Sequence, residues 1–341
     1  MYSNRIMPKG PLLRAMLALV LLGSAVAALS GQETEDAKEP FVLFLPVGYD
    51  FMRLEEQTTH SPAAGIGFML GEQDIPFDQV ERRFFGMALY QPFFFTKTFQ
   101  DDLPEQFHTI AAMLDGRIKR HQILTVFSSA SDRPVSGGFN TFTIGAGWGY
   151  EVVRRPHVSL ILGAVLIASD FGITLPSGDL WPILPMPLIR FGVDTKWFAS
   201  SFDFLTGPNL EFTFAPKERI RLTGEMRMDS YRSLTDLNCE FTLWYRFFSQ
   251  DHKLGDFAGI GAGFKNETMY FTLSNSCRQD TFELQRSAVF AVIDLSLLKI
   301  QGGWVFNSNY LIDEKKTGSP GSGFFLSVQG MLPIVNRQSN Y

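Results

Sequence analysis

Charge and cysteine are both scarce in this sequence of 341 residues, and each scarcity excludes classes of protein. Charged residues make up only 19% of the chain and hydrophobic residues 45%, which argues against a disordered protein. The formal net charge of −5 argues against a general nucleic-acid binder, because such proteins usually carry a basic patch. Two cysteines are too few for a disulfide scaffold or a cysteine-based zinc module.

Long apolar runs are also missing after the N-terminus. The most apolar internal stretch, 158–168, is shorter than the roughly 20 residues of a membrane-spanning helix. The mean hydropathy of +0.03 is too low for a bundle of membrane helices. It is compatible with a transmembrane β-barrel, whose strands alternate polar and apolar residues. If the protein crosses a membrane, we therefore expect it to cross with strands.

The N-terminus has the three-part layout of a secretory signal peptide: a positive start, an apolar run and then small residues. We expect cleavage near Ser30, which would remove three positive charges and take the net charge from −5 to −8. The pattern is carried by Arg5, Lys9 and Arg14, by the run 15–29, and by Ala25, Ala27 and Ser30.

The signal-peptide pattern and the strand patterns after it divide the chain into four parts. We expect a signal peptide over 1–30, an acidic linker over 31–40, a barrel over 41–334 and a short tail over 335–341. The closing strand is ambiguous, because alternation breaks between Met331 and Asn340 and Pro333 lies within the break. Either the strand ends near Leu332 or the end of the chain is atypical for a barrel.

Period-2 alternation of apolar and polar residues continues from residue 41 almost to the end and predicts strand after strand. We count roughly 12–16 segments, each near the roughly 9–11 residues of a tilted spanning strand. The expected fold class is all-β, a single transmembrane antiparallel β-barrel after a cleaved signal peptide. The clearest apolar faces are Phe41, Leu43, Leu45, Val47, Tyr49 and Phe51; Ile144, Ala146, Trp148, Tyr150 and Val152; Ile220, Leu222, Met226 and Met228; and Leu237, Cys239, Phe241, Leu243 and Tyr245.

Turn signals separate the segments. Short turns are expected at 154–157 and 215–218, and longer polar connections at 72–82, 170–182 and 313–321. Short turns on one rim and long loops on the other are typical of outer-membrane barrels. The predicted number of strands does not give a consistent topology, however. If Gln122–Ser131 is not counted as a strand, the short turns fall on the wrong rim; if it is counted, the C-terminus lies outside.

A soluble β-sandwich also alternates, so the composition of the polar faces matters. Several of these faces consist of Gly, Ser and Thr with few charges, and aromatic residues crowd the predicted strand ends, as at 93–95. Aromatic girdles at the two membrane interfaces would give this placement. We therefore favour a barrel whose 33 Phe form a lipid-facing band and its girdles, and keep an exported soluble β-protein as the alternative.

The stretch from Trp181 to Tyr231 resembles an uncharacterised, porin-like family of bacterial outer-membrane β-barrel proteins. The resemblance covers about a sixth of the chain and implies a barrel in the outer membrane, with no catalytic residues. It is carried by Pro185 to Gly192, Trp197, Asn209 to Ile220 and Tyr231.

Residue patterns for catalysis and metal binding are nearly absent. The five His show no metal-ligand spacing, and no Gly-x-Ser-x-Gly elbow occurs, so we expect no enzyme, no metal and no cofactor. The alternating glycines at 145–149 and 259–263 are interpreted as strand positions where a barrel curves or packs closely. Cys239 and Cys277 are expected about two strands apart, too far for easy disulfide formation.

Charges on the predicted inner faces are the most informative residues for function. If these faces line a lumen, the charges would set its ion selectivity; if the barrel is plugged, they would pair in a ladder between strands. The candidate lumen-lining residues are Arg219, Arg221, Glu225, Arg227, Asp229, Glu240 and Arg246.

The function that the sequence favours is a passive channel for small solutes in the bacterial outer membrane. The alternative is a surface-exposed interaction protein, an adhesin or a binder of an envelope partner, built on a plugged barrel. The expected partners are outer-membrane lipid and the barrel-assembly machinery, with no nucleic acid. The oligomeric state stays open.

Overall fold

The computed structural model describes residues 41–71, 82–96, 104–132, 142–174, 180–204, 208–228, 237–247, 258–273, 281–295, 297–312 and 315–337. The predicted signal peptide and linker lie outside these residues. In chain order the strands are β1 (Phe41–Leu54), β2 (Thr58–Leu70), β3 (Arg82–Phe95), β4 (Gln106–Ile118), β5 (His121–Ser131), β6 (Phe142–Arg155), β7 (Val158–Thr174), β8 (Leu180–Asp194), β9 (Phe198–Phe204), β10 (Pro208–Phe214), β11 (Ile220–Met228), β12 (Leu237–Arg246), β13 (Ala258–Thr272), β14 (Thr281–Leu295), β15 (Leu298–Ile312), β16 (Lys315–Gly318) and β17 (Gly323–Arg337).

The strands form one closed antiparallel barrel. Each strand from β1 to β15 pairs with its neighbour in sequence, β15 pairs directly with β17, and β17 pairs with β1. The short β16 is a side arm on the end of β15. The barrel therefore has 16 strands, which confirms the expected all-β barrel and falls at the upper end of the expected range. Within the described residues no helix is long and apolar enough to cross a membrane.

The even number of strands resolves the inconsistency between the predicted strand count and the positions of the short turns and the chain ends. The segment from His121 is a strand of its own, β5, and the chain then enters and leaves the barrel at the same end, where Phe41 pairs with Arg337. The two-residue turns Lys119–Arg120 and Pro156–His157 lie at this end as well. We call it the terminal rim and the opposite end the loop rim.

The connection expected over 170–182 is largely strand. β7 continues to Thr174 and β8 begins at Leu180, with Ile173 paired to Trp181 beyond an irregularity in the register. The connection at 313–321 likewise contains β16, which pairs with β15. In both places the hairpin continues past the polar residues, because backbone pairing does not depend on side-chain polarity. The connection expected at 72–82 lies almost wholly outside the described residues.

The closing strand runs past Pro333 to Arg337, three residues beyond the boundary expected at 334. The register between β17 and β1 shifts at this point, where Leu43 pairs with Val335 and Phe44 with Pro333. A bulge tolerates proline, because the ladder is already interrupted there and the missing N–H removes no regular hydrogen bond. The broken alternation in the sequence therefore marks a bulge inside the strand.

The alternating glycines of β6 lie at a close-packed bend, in agreement with the interpretation of 145–149 from the sequence. Gly149 of β6 faces Gly163 of β7, and a Cβ on Gly163 would lie 2.1 Å from the carbonyl oxygen of Trp148. A Cβ on Gly149 would lie 2.8 Å from Cδ2 of Leu188, which belongs to β8, two strands away. Side chains from further along the wall thus fill the space above β6, which indicates a sharp bend at this strand.

Gly163→Ala should lower the free energy of unfolding by about 1–3 kcal/mol, because the nearest obstacle is backbone and cannot move aside. Gly302→Ala is the matched control, since a Cβ there would meet no atom nearer than 3.6 Å. Urea titration of the purified barrel in micelles, followed by tryptophan fluorescence, measures both. Equal stability of the two variants would contradict the close packing.

Candidate functional site

The inner face of the barrel is identified by side chains that meet although their strands are not neighbours. The rings of Phe107 on β4 and Phe282 on β14 lie 5.1 Å apart, and Nη1 of Arg190 on β8 lies 2.6 Å from a carboxylate oxygen of Asp115 on β4. Such contacts can form only across the interior. The outward face is apolar and exposed, as at Trp148, 52% exposed, in agreement with the faces that the sequence predicted for β1, β6, β11 and β12.

A packed aromatic cluster fills part of the interior from the loop rim downward and extends along β14 toward the terminal rim, and we call it the loop-end core. Phe107 lies 4.6 Å from Phe271, and Phe93 lies 5.2 Å from Phe271, measured between ring centres. These contacts join β3 and β4 to β13 on the opposite wall. The members of the loop-end core are Met52, Leu54, Phe93, Phe95, Phe107, Trp244, Phe271, Phe282, Leu284, Ala288, Phe290, Val292, Val305, Tyr310 and Phe325.

The expectation that the phenylalanines form a lipid-facing band is therefore wrong for the seven in the loop-end core and for Phe44. Phe107 is 1% exposed and Phe271 is 2% exposed, both inside the barrel. Alternation assigns residues to two faces but does not say which face is inside, and opposing walls that touch make an apolar inner face stable. In the triplet 93–95 only Phe94 points outward, with 38% of its surface exposed. The seven in the loop-end core are Phe93, Phe95, Phe107, Phe271, Phe282, Phe290 and Phe325.

The backbones of opposite walls also touch above this core. Thr272 of β13 forms a parallel bridge with Ser131 of β5, which we call the seam. Among the described residues, pairing of β13 with β12 ends at Asn266, and pairing of β5 with β6 ends at Ser129. The seam therefore joins two strand edges that have lost their regular neighbours. It closes β13–β15, β17 and β1–β5 into a smaller ring around the loop-end core.

Charges inside this ring are paired. Both Nε and Nη2 of Arg286 donate to one carboxylate oxygen of Glu267, at 2.9 and 2.6 Å, and Nζ of Lys265 lies 3.5 Å from the same oxygen. Nζ of Lys265 also lies 4.3 Å from the ring centre of Phe325. This arrangement compensates the burial of the cations, as the plugged-barrel alternative for inner charges anticipated.

A second compact region lies inside β4–β8. Leu124, Val165 and Leu188 are nearly fully buried there, each at 1% exposure or less. Arg190 bridges this region, because its Nη1 donates to Asp115 on β4 and its Nε donates to Asp203 on β9, at 2.5 Å. Nearer the terminal rim, Arg117 forms an ion pair with the buried Glu151.

The inner wall formed by β9–β11 is different, because part of it is exposed to solvent, whereas the inward Asn238, Thr242, Trp244 and Arg246 of β12 are buried. Ser201, Glu211, Glu225 and Arg227 are on the inward face by register, and all four are exposed. An accessible charge on an inner face requires water in the lumen beside it. This wall is therefore hydrated, in contrast to the packed interior on the opposite side.

Three carboxylates meet on this wall. Glu211 pairs with Glu225 and Glu225 pairs with Glu240 on the adjacent strand, and we call these three residues the glutamate row. Thr213, Thr223 and Thr242 form the next inward row toward the terminal rim. Like charges placed directly opposite each other repel, and water with mobile cations reduces that repulsion. The row therefore places three carboxylates at one level of the wall, between Arg227 on the side of the loop rim and Arg221 on the side of the terminal rim.

The structure brings most of the predicted lumen charges to the inward faces of β11 and β12, where Arg246 is buried. Arg221, Glu225 and Arg227 share the inward face of β11, and Glu240 and Arg246 share that of β12. Arg221 lies over the Trp244 ring, 5.6 Å from its centre. Arg219 is different, since it lies in the turn before β11, where its carbonyl accepts a hydrogen bond from the Arg246 amide. Asp229 lies outside the described residues.

Several residues of the candidate site were not predicted from the sequence. Glu211 alternates with Leu210 and Phe212, a signal that could have placed it on the inner face beside Glu225. The contact between Asp115 and Arg190 could not be predicted from alternation, because the two residues are 75 positions apart in sequence and only the closed barrel brings them together.

Metal-ligand and cysteine chemistry add nothing to this site. Within the described parts of the chain, no three His, Cys, Asp or Glu side chains converge as metal ligands would. Cys239 lies on the outward face of β12, next in register to Met226. Cys277 lies outside the described residues, so its pairing stays a prediction.

No protein-family model matches the sequence, and no curated protein matches it. Among solved structures, the chain is similar to Acinetobacter baumannii OccAB3 (10% identity, TM-score 0.37, covering 87% of this chain and 100% of that one). It is also similar to Pseudomonas aeruginosa OccK7 (10%, 0.32, 87% and 100%) and to the translocator domain of the autotransporter NalP from Neisseria meningitidis (10%, 0.29, 93% and 96%). All three are bacterial outer-membrane β-barrels, the class named by the sequence resemblance.

The seam predicts a specific cross-link. Ser131→Cys with Thr272→Cys, in a chain whose own cysteines are changed to serine, should form a disulfide on mild oxidation, because bridged strands lie about 4.8 Å apart and a disulfide needs Cα atoms within about 7 Å. The control is Ser131→Cys with Thr268→Cys, displaced about 13 Å along the strand. Mass spectrometry of peptides detects the bond, and equal yields in both pairs would refute the seam.

Proposed function

We propose that this chain is a passive channel of the bacterial outer membrane for small hydrophilic solutes, with its water-filled path along the β9–β11 wall. The observation that carries the proposal is the solvent exposure of inward charges on this wall, Glu211, Glu225 and Arg227. A barrel with a wholly packed interior would bury them.

The outer surface supports insertion in a membrane. Ile220 is 60% exposed, Leu166 58%, Leu243 56% and Trp304 51%, on different sides of the barrel. Apolar side chains exposed all round a closed barrel would be costly in water and are favourable against lipid. With the predicted signal peptide, this favours export to the outer membrane, with outer-membrane lipid and the barrel-assembly machinery as partners.

The path is narrower than the strand number alone would give. Sixteen strands commonly enclose a wide aqueous channel, but here the loop-end core and the Arg190 bridge occupy much of the interior. Small solutes therefore fit the remaining space best. The glutamate row adds a preference for cations, since it concentrates negative charge on the hydrated wall. No catalytic role is proposed.

The proposal predicts the outcome of planar-bilayer recordings. Purified refolded protein should conduct, with cations favoured over chloride. Glu211→Gln with Glu225→Gln should lower the cation-to-anion permeability ratio by about tenfold. Each charge contributes ~0.7 kcal/mol to an ion about 6 Å away in water, with opposite sign for cations and anions, and salt reduces this contribution by roughly half. Glu218→Gln, an exposed carboxylate in the turn at the terminal rim, is the matched control and should leave the ratio unchanged.

Absence of conductance from correctly folded protein would refute the channel. The second candidate, a surface interaction protein on a plugged barrel, would then be favoured, and the observation on its side is the loop-end core, which closes one part of the loop rim. An unchanged permeability ratio in the double variant would instead show that the path does not run along the glutamate row.

A further inference from the structure

Exposed cations are concentrated in four consecutive turns of the terminal rim, those after β4, β6, β8 and β10. We call this set the basic rim. We propose that the basic rim binds the anionic headgroups of phospholipids in the adjacent membrane leaflet, an inference that rests on the proposed insertion in a membrane. The basic rim consists of Lys119, Arg120, Arg155, Lys196, Lys217 and Arg219, all exposed.

The concentration of charge is specific to this end of the barrel. Asp194 and Glu218 are the exposed carboxylates described in or beside the same turns, so cations outnumber them three to one. The exposed charges described at the loop rim are balanced, with Arg53, Lys315 and Lys316 against Glu55, Glu56 and Glu105. The chain as a whole carries a net charge of −5, so the basic rim opposes the overall charge.

Aromatic residues place these cations at the depth of lipid headgroups. Trp197, 62% exposed, follows Lys196 in the turn, and Nζ of Lys196 lies 5.1 Å from its ring centre. His121, which follows Arg120, stacks on Trp148 with ring centres 5.7 Å apart. Exposed Trp side chains of membrane proteins lie at the interface between hydrocarbon and headgroups. Cations adjacent to them therefore lie beside the phosphates, where opposite charge attracts them.

Hydrogen bonds within a turn and between adjacent turns hold this edge of the barrel in place. Thr195 Oγ1 accepts a hydrogen bond from the Phe198 amide at 3.1 Å, and Nδ1 of His157 lies 2.7 Å from the carbonyl oxygen of Asp194 in the adjacent turn. The turns therefore present their cations from a rigid edge. A rigid row of cations binds several headgroups at once with little loss of conformational freedom.

The test uses the full mature barrel purified in mild detergent and mixed with equal amounts of phosphatidylglycerol and phosphatidylethanolamine. Native mass spectrometry counts the lipids that stay bound. We expect several-fold more phosphatidylglycerol than phosphatidylethanolamine, with the excess falling as salt is raised. Arg155→Gln, Lys196→Gln and Lys217→Gln together should bring the two lipids close to equal retention.

A matched control removes the same residue types from the other rim, with Arg53→Gln, Lys315→Gln and Lys316→Gln. This variant should keep the preference for phosphatidylglycerol. The proposal is overturned if the unchanged protein shows no preference, if both triple variants lose it equally, or if the basic rim instead retains peptidoglycan fragments and no anionic lipid. Conductance of the same preparations in neutral lipid separates the two proposals, because it tests the channel without the anionic headgroups.

Discussion

The pairing of backbone edges is the constraint on which the rest of this structure depends. A strand edge that faces lipid leaves N–H and C=O groups without partners, at a cost of several kcal/mol for each group. The register between β1 and β17 removes the edge that would otherwise remain at the two ends of the sheet. Beyond Asn266 and Ser129, where β13 and β5 lose their regular neighbours among the described residues, the seam brings the two strands together.

The seam divides the interior into two environments with different chemistry. On one side, the loop-end core excludes water, and the buried cation Arg286 is held by Glu267. On the other side, Glu211 and Glu225 stay accessible to water, which reduces the repulsion between them. The same closed antiparallel sheet thus encloses both a packed apolar core and a hydrated inner wall.

The individual faces of the strands were predictable because the period of a strand is short and regular. The apolar faces of β1, β6, β11 and β12 came from alternation alone, and the inward glycines of β6 from their spacing. Arg221, Glu225, Arg227, Glu240 and Arg246 were placed on one wall in the same way. The orientation of β13 could not be inferred, since Phe271 faces inward only because Phe107 and Phe93 of the opposite wall cover it.

The class of fold and the two faces of most strands were predictable from the sequence, because alternation and turn residues act over a few neighbouring positions. The cations of the terminal rim lie in short turns, so their positions are also a local property of the sequence. Which interior regions are packed and which are hydrated could be seen only in the folded barrel. That division depends on contacts such as Arg190 with Asp115 and Thr272 with Ser131, which join residues 75 and 141 positions apart. No local pattern encodes such a distance, because it follows from the closure of the whole barrel.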